Sequence, residues 1–366
     1  MSRSNSKIRA IRHRIETLIA TRDPGQQLPR VRDLMSEHKT SQRIVQKALE
    51  PFIRTGAIRA RPGAGLRIAD SLPATSEAEY ATDCLILYRN SESRLAQTLL
   101  MELVRRLRAA GRHVTLMGFS DEATAVAKLE GRGRARCCLL QTNFEIIGIA
   151  FLAAIRAQAD ALVVDGVSVT GIDADVIGTN WREALSIAYR SLSDQGHRRI
   201  AFLTSSHDAR QIAMARREFL LLSGHRDAGE HPLLHQVDAL PGSYPRDAIV
   251  NALPDRIALA TGQGATALIL WGLVDGYMLE GTLHERGLKL GRDMSVMLLG
   301  SVDVTSEHVA RFDVTGNSNA EKLDVFERVV KARIEGDRIP PRTYYLPIHV
   351  VENGSVRFIA TETDRY

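Results

Sequence analysis

Over the first seventy positions, apolar residues recur at helical spacing in three separate blocks. Ile8, Ile11, Ile15, Leu18 and Ile19 make one stripe and predict a helix ending near Thr21. Asp23-Pro24-Gly25 is a turn signal. Pro29 is placed to open a second helix, where its missing N–H is not needed, and Val31, Leu34 and Met35 give that helix an apolar side. After a break at His38 to Thr40, Ser41 is positioned to cap a third helix. In that block Ile44, Val45, Ala48, Leu49, Phe52 and Ile53 share one face, and Gln42, Arg43, Gln46 and Lys47 share the other. Pro51 removes an N–H from the helix interior at a cost of about 3 kcal/mol, which predicts a kink or an early end near Glu50. Two short apolar runs, Ile58 to Arg61 and Leu66 to Ile68, then flank Pro62-Gly63-Ala64-Gly65. They predict a hairpin with a glycine-rich tip and the basic flanks Arg59, Arg61 and Arg67.

Beyond this point the rhythm changes. Residues 71–82 are polar and read as a linker. From residue 83 to 366, strand-like apolar runs (Cys84 to Tyr88, His113 to Met117, Cys137 to Leu140, Ala161 to Val164, Ile200 to Leu203, Ala267 to Leu270, Ser295 to Leu299) alternate with helical patterns such as Leu95 to Ala110, Trp181 to Asp194 and Val274 to Glu285. That alternation predicts parallel sheets covered by helices, and the strands are too many for one sheet. The fold class is therefore multidomain: an α+β winged helix-turn-helix over residues 1–70, then a two-lobed α/β body.

Charge sharpens the division. The chain of 366 residues has a net charge of +5, but residues 1 to 70 hold 15 Lys and Arg against 6 Asp and Glu, while the rest is net acidic. A short, strongly basic segment points to a polyanion partner. Gln pairs with adenine edges, Arg with guanine and Lys with phosphate, so the polar face of the third helix suits the major groove of duplex DNA. A solvated helix face is the competing reading for those four residues alone.

Residues 7 to 68 resemble the DNA-binding domain of GntR-type transcription regulators. The pieces that carry the resemblance are Pro24-Gly25, Leu28-Pro29, Arg32, Ser41, Val45, Ala48-Leu49, Gly56 and Arg61-Pro62-Gly63-Ala64-Gly65. It implies DNA contacts from Arg32, from the start of the third helix (Ser41, Gln42, Arg43, Gln46, Lys47) and from the wing (Arg61, Gly63, Gly65). Gln42 and Gln46 stand where the family often has Arg, so the operator does not carry over.

Gly196-His197-Arg198-Arg199-Ile200-Ala201-Phe202, Gly287-Leu288 with Asp293-Met294-Ser295-Val296, and the run Asp173 to Asn180 resemble the effector domain of LacI/GalR-type regulators, which is built like periplasmic sugar-binding proteins. Together the two resemblances match the arabinose-repressor architecture. They imply three chain crossings between lobes, near Ile177, near Phe312 and near Glu335 to Pro341, and a ligand in the cleft. Asp165 and Asn180 match polar anchor positions, and Arg210 lies two residues from a third. The Asn-Asp pair expected after the strand at Leu268 to Leu270 is replaced by Gly272-Leu273, preceded by Trp271. The Gly-aromatic-Asp expected after Met297 reads Leu298-Leu299-Gly300. A cleft that loses such groups becomes less polar, so an ordinary free sugar fits poorly. A less polar or aromatic molecule stacked on Trp271, or no effector, fits better. Core packing is the competing reading for Trp271, and a strand-end turn for Asp165.

Other features carry less. The three cysteines, Cys84, Cys137 and Cys138, lack metal-ligand spacing and fit a reduced compartment. The amino terminus has no apolar signal segment, and the run Ile146 to Ile155 reads as a core helix too short to span a bilayer. His225, His231 and His235 read as a surface loop, and Gly131 to Arg136 as a basic turn. No nucleophile, metal or cofactor fingerprint is visible. The reading is a cytoplasmic, homodimeric transcription regulator and repressor. Its partners are an operator in double-stranded DNA and a small-molecule effector. The alternatives are a ligand-independent regulator whose body only dimerises, and an enzyme on the two-lobed fold.

Overall fold

The computed structural model describes residues 3–21, 25–54, 58–61, 65–68, 80–90, 94–144, 146–167, 172–224, 231–238, 246–272, 276–303 and 311–360. The chain divides into two compact units, Met1–Glu79 and Tyr80–Tyr366. In the first, α1 (Arg3–Thr21), α2 (Val31–Glu37) and α3 (Gln42–Arg54) precede a hairpin of β1 (Ile58–Arg61) and β2 (Gly65–Ile68). Ile8, Ile11, Ile15 and Leu18 of α1 meet Leu34, Val45, Ala48 and Leu49 in one buried cluster, closed below by Ile58, Leu66 and Ile68. The hairpin is antiparallel, with Ile58 opposite Ile68 and Arg61 opposite Gly65. Gly25 and Leu28 donate backbone hydrogen bonds to Ile68 and Leu66, so residues 25–28 line the free edge of β2.

Two local expectations fail here. The second helix does not open at Pro29: Arg30 holds the cap position in extended backbone, and its N–H donates to the Asp33 carboxylate at 3.0 Å. Asp33 therefore sets the start. Nor does α3 end near Glu50, since it runs on through Pro51 to Arg54. One missing backbone bond is outweighed where Val45, Ala48 and Leu49 are each nearly or fully buried, because tertiary packing supplies most of a helix's stability.

The second unit begins with lobe I. Its elements are β3 (Thr82–Arg89), α4 (Arg94–Ala109), β4 (Val114–Phe119), α5 (Glu122–Glu130), β5 (Ala135–Gln141), α6 (Ile149–Gln158), β6 (Ala159–Asp165) and β7 (Asp175–Gly178). Lobe II follows with α7 (Trp181–Asp194), β8 (Ile200–Ser205), α8 (Arg210–Leu222), β9 (Leu234–Val237), α9 (Arg246–Gly262), β10 (Ala267–Trp271), α10 (Gly276–Glu285), β11 (Ser295–Ser301) and β12 (Asp313–Asn317). The chain returns to lobe I for α11 (Asn319–Ile334) and β13 (Thr343–Tyr345), then ends in lobe II with β14 (His349–Val351). Strand order is β13-β7-β6-β5-β3-β4 in lobe I and β14-β12-β11-β10-β8-β9 in lobe II. Every pairing is parallel except β12 with β14. β8 and β10 are buried along their whole length, as strands covered on both faces are.

The second and third crossings differ from expectation. The three crossings follow β7, β12 and β13, at residues 179–180, 318 and 346–348. Phe312 lies in the lobe II core, and residues 335–341 join two lobe I elements. The run Ile146 to Ile155 is only in part a core helix. Phe151, Leu152 and Ile155 are buried, whereas Ile146 and Ile149 face solvent ahead of and at its start. The basic turn at 131–136 is no plain solvated loop. Arg134 pairs with Asp160, and Arg136 lies 4.4 Å over the Tyr80 ring and 3.5 Å from Asp83. The Tyr80 hydroxyl also donates to Asp160.

One ion pair pins α11 to the sheet of lobe I. Arg333 donates to both carboxylate oxygens of Asp175, at 2.6 and 3.1 Å, and the Arg342 N–H adds a third bond at 3.1 Å. Asp175 is fully buried. Cys84 and Cys137 face each other across β3 and β5. A hydrogen bond donated by the Cys137 thiol to Cys84, together with burial, holds that thiol well above its ordinary range, which suits an inert core thiol. Among the described residues no helix is long and apolar enough to cross a membrane.

Candidate nucleic-acid interface and interlobe cleft

Because α3 turns Val45, Ala48 and Leu49 into the core, its other face is committed to solvent. Gln42, Arg43, Gln46 and Lys47 are all exposed there. Ser41 holds the cap position, its carbonyl accepting from the N–H groups of Ile44 and Val45. Arg32, on α2, is exposed and only 3.8 Å from the exposed Asp33, a contact too solvated to hold it. Gly65 starts β2 at φ +80, which favours glycine. Arg61 ends β1 opposite it, but the Arg61 side chain and Gly63 lie outside the described residues. The sequence gives no hint of one further contact. The Lys7 ammonium donates to the Lys39 carbonyl at 2.6 Å, tying α1 to the turn between α2 and α3, where Lys39 has φ 43.

In the body, strand order reverses beside β3 in lobe I and beside β8 in lobe II. Ligands of such sheets bind outside the carboxyl ends of the strands at that reversal. In lobe I the reversal lies between β3 and β5, and the Asn143 amide bridges it by donating to the Arg89 carbonyl at 2.9 Å. In lobe II it lies between β8 and β10, and the Thr204 hydroxyl bridges it to the Trp271 carbonyl at 3.1 Å. Phe144, following β5, reaches Trp271, at the end of β10, with ring centroids 5.9 Å apart and planes at 78°. Trp181, first residue of α7, lies 5.2 Å from Trp271 at 33°. Trp271 is 3% exposed. Asn143 and Phe144 have φ 48 and 66. A bulky residue there costs about 1–3 kcal/mol, which the ring contacts offset.

The sequence-predicted anchors all stand at the ends of strands and helices: Gly166, next to Asp165, approaches Gln211, next to Arg210, and Trp181, next to Asn180, approaches Trp271. Asp165 ends β6 and pairs with Lys322 of α11 at 2.8 Å, both side chains largely buried. Asn180 caps α7, its carbonyl oxygen accepting from the Glu183 N–H at 3.5 Å and its amide donating to the Glu183 carboxylate at 3.3 Å. Arg210 is the exposed first residue of α8. Trp271 is core to the contact just described.

The crossings are wired to one another. The Thr179 hydroxyl donates to Asn317 at 2.8 Å, and the Leu346 N–H to the Gly178 carbonyl at 3.0 Å. Asp303, two residues beyond β11, caps α11: it accepts from the hydroxyls of Ser301 and Ser318 and the N–H groups of Asn319 and Ala320, at 2.6 to 2.9 Å. Partial burial pushes its carboxyl up, but those four donors outweigh it and hold the group at about 2. A depressed folded value means the stabilisation is complete above the ordinary 3.8 and is lost as pH falls through about 2. Acid unfolding checks this: the stability gap between wild type and Asp303→Ala stays constant above about pH 5 and closes toward pH 2. A gap that persists unchanged at the acid end contradicts the assignment.

The comparisons with known proteins fit this geometry. The family model described as bacterial regulatory proteins, gntR family, matches residues 7–68. No curated protein sequence matches the chain. Among solved structures, a complex of the transcriptional regulator CelR with cellobiose is 16% identical, covers 90% of this chain and 100% of its own, and has a TM-score of 0.60. A sugar-binding LacI-family regulator from Escherichia coli, complexed with phosphate, is 17% identical over 76% of this chain and 99% of its own, at 0.57. A LacI-family regulator from Enterococcus faecium with bound ribose is 13% identical over 75% and 100%, at 0.60. At these identities the likeness is one of fold. Residues 7–68 are thus a GntR-family DNA-binding domain, and the chain carries behind it a body with the two-lobed fold of LacI-type regulators.

Proposed function

We propose that this protein is a sequence-specific repressor acting in the cytoplasm, a homodimer whose operator affinity is set by a small molecule held between the lobes. The observation that carries the DNA half is the exposed face of α3, where Gln42, Arg43, Gln46 and Lys47 stand together and Glu50, one turn further on, is the helix's one carboxylate, all backed by a buried apolar stripe. Such a face can hydrogen-bond to base edges while its cations meet phosphate. Arg32 and the wing residues Arg61, Gly63 and Gly65 flank it in sequence and supply backbone or minor-groove contacts. Two-fold pairing of the bodies presents two heads to a palindromic site.

The effector half is supported by the cleft at the strand-order reversals and by the sugars named for the CelR and Enterococcus faecium structures. A ligand that prefers one lobe arrangement shifts the population toward it and so changes operator affinity. Selection of bound duplexes from a random pool at low salt tests the reading, and a palindromic motif is the expected result. Enrichment of nothing beyond bulk duplex removes the claim of specificity. A thermal-shift screen with small molecules tests the effector half, because binding to the folded state raises stability by mass action. No shift across the screen favours the ligand-independent alternative.

A further inference from the structure

We propose that the interlobe crevice of this chain takes a small, flat, uncharged aromatic ring, and that Phe144 is the built-in stand-in for it. The proposal rests on the effector-controlled reading above and names the class of effector. Three observations carry it. First, Phe144 and Trp271 come from opposite lobes and meet where both strand orders reverse, the position that ligands of such sheets occupy. Second, the ring is delivered by two consecutive non-glycine residues at positive φ, Asn143 and Phe144, an arrangement that persists only where surrounding contacts compensate. The Asn143 amide on the Arg89 carbonyl and the Phe144 ring on Trp271 are those contacts. Third, the charged side chains that end β6 and begin α11, Asp165 and Lys322, neutralise each other at 2.8 Å. Asp165, an anchor that would reward a sugar's hydroxyls, is therefore committed to Lys322, while Trp271, stacked near Trp181, presents a ring surface already engaged by Phe144.

A free aromatic compound makes the same edge or face contact with Trp271 and releases the loop at residues 143–144 from its strained backbone. Entry of the ligand and departure of Phe144 are then one exchange, and the lobes part or rearrange as it occurs. Glycine at 144 removes the competing ring and relaxes the φ of 66, so this variant is expected to fold.

The test uses the full chain and its own fluorescence, because its two tryptophans, Trp181 and Trp271, both lie in this cluster. Benzamide and benzyl alcohol are titrated as neutral aromatic probes, with glucose as a hydroxyl-rich one. The expected result has three parts: a red-shifted emission in unliganded Phe144→Gly, a saturable change with benzamide or benzyl alcohol, and at least tenfold tighter binding of that probe by Phe144→Gly than by wild type. Phe144→Leu, which keeps an apolar plug of different shape, should fall between them. The proposal is overturned if Phe144→Gly emits like wild type, if it binds neither aromatic probe, or if it binds them no more tightly than wild type. It is also overturned if glucose saturates the signal in wild type and Phe144→Gly alike. Operator binding is measured alongside. Aromatic binding that leaves operator affinity unchanged supports the site and refutes effector control. Glucose-driven release from DNA with no effect of Phe144→Gly keeps effector control and refutes the aromatic site.

Discussion

Replacing Asp175 with Ala lowers the stability of the body by about 3–5 kcal/mol, the usual cost of removing one partner from a buried, fully bonded ion pair. The Arg333 side chain is only 8% exposed, and its bonds to the Asp337 and Ile339 carbonyls supply no charge to replace the carboxylate. The Arg342 N–H loses its acceptor as well. Urea unfolding followed by far-ultraviolet circular dichroism reads the effect as a lower midpoint in the body's transition. The double replacement Asp175→Leu with Arg333→Met is expected to recover most of the loss, because apolar residues of similar volume often match a buried pair. A loss below about 1 kcal/mol in Asp175→Ala would show that water reaches the site and that the pair does not pin α11 to its sheet.

On the DNA side, Arg43→Ala and Gln46→Ala each cost about 1–3 kcal/mol on the selected operator and relax base preference at one position of each half-site. Lys47→Ala behaves differently. It weakens binding on all duplexes alike and reduces the dependence of log affinity on log salt by about one. The distinction follows from chemistry: an amide or a guanidinium can satisfy a base edge with two bonds, whereas an ammonium is a point charge matched to phosphate. None of the three should move the unfolding midpoint by more than about 0.5 kcal/mol, since all are exposed. If every substitution left both affinity and salt slope untouched, the α3 face would not be the part that reads DNA.

The first seventy residues were legible because their information is local. A helical period in Ile8, Ile11 and Ile15 or in Val45, Ala48 and Leu49 translates directly into a buried face. The two misreadings there were also local. Pro29 competes with Asp33 for the start of α2, and a side-chain acceptor on a specific N–H prevailed over a fixed φ. Pro51 is carried by the packing of its neighbours. In the body the alternation of strands and helices was legible, but the second and third crossings were not. A strand followed by a helix looks the same whether the helix stays on its own sheet or moves to the other, so Phe312 and residues 335–341 were misplaced. The cleft was least legible of all. Phe144 meets Trp271 across 127 positions with no shared motif, and Asp303 lies three residues past the Gly300 at which a family-style search stops. An acid two residues after Ser301, at a strand end, was the one available signal for it.

The wiring of the crossings limits how the body can move. Translating one lobe past the other would break the Thr179–Asn317 bond and the Asp303 bonds to α11 together. A turn about the crossings moves the atoms nearest them least, so these bonds tolerate rotation better than sliding. The body is therefore left with a single low-cost degree of freedom, a pivot, and any signal carried through it is an angle rather than a slide.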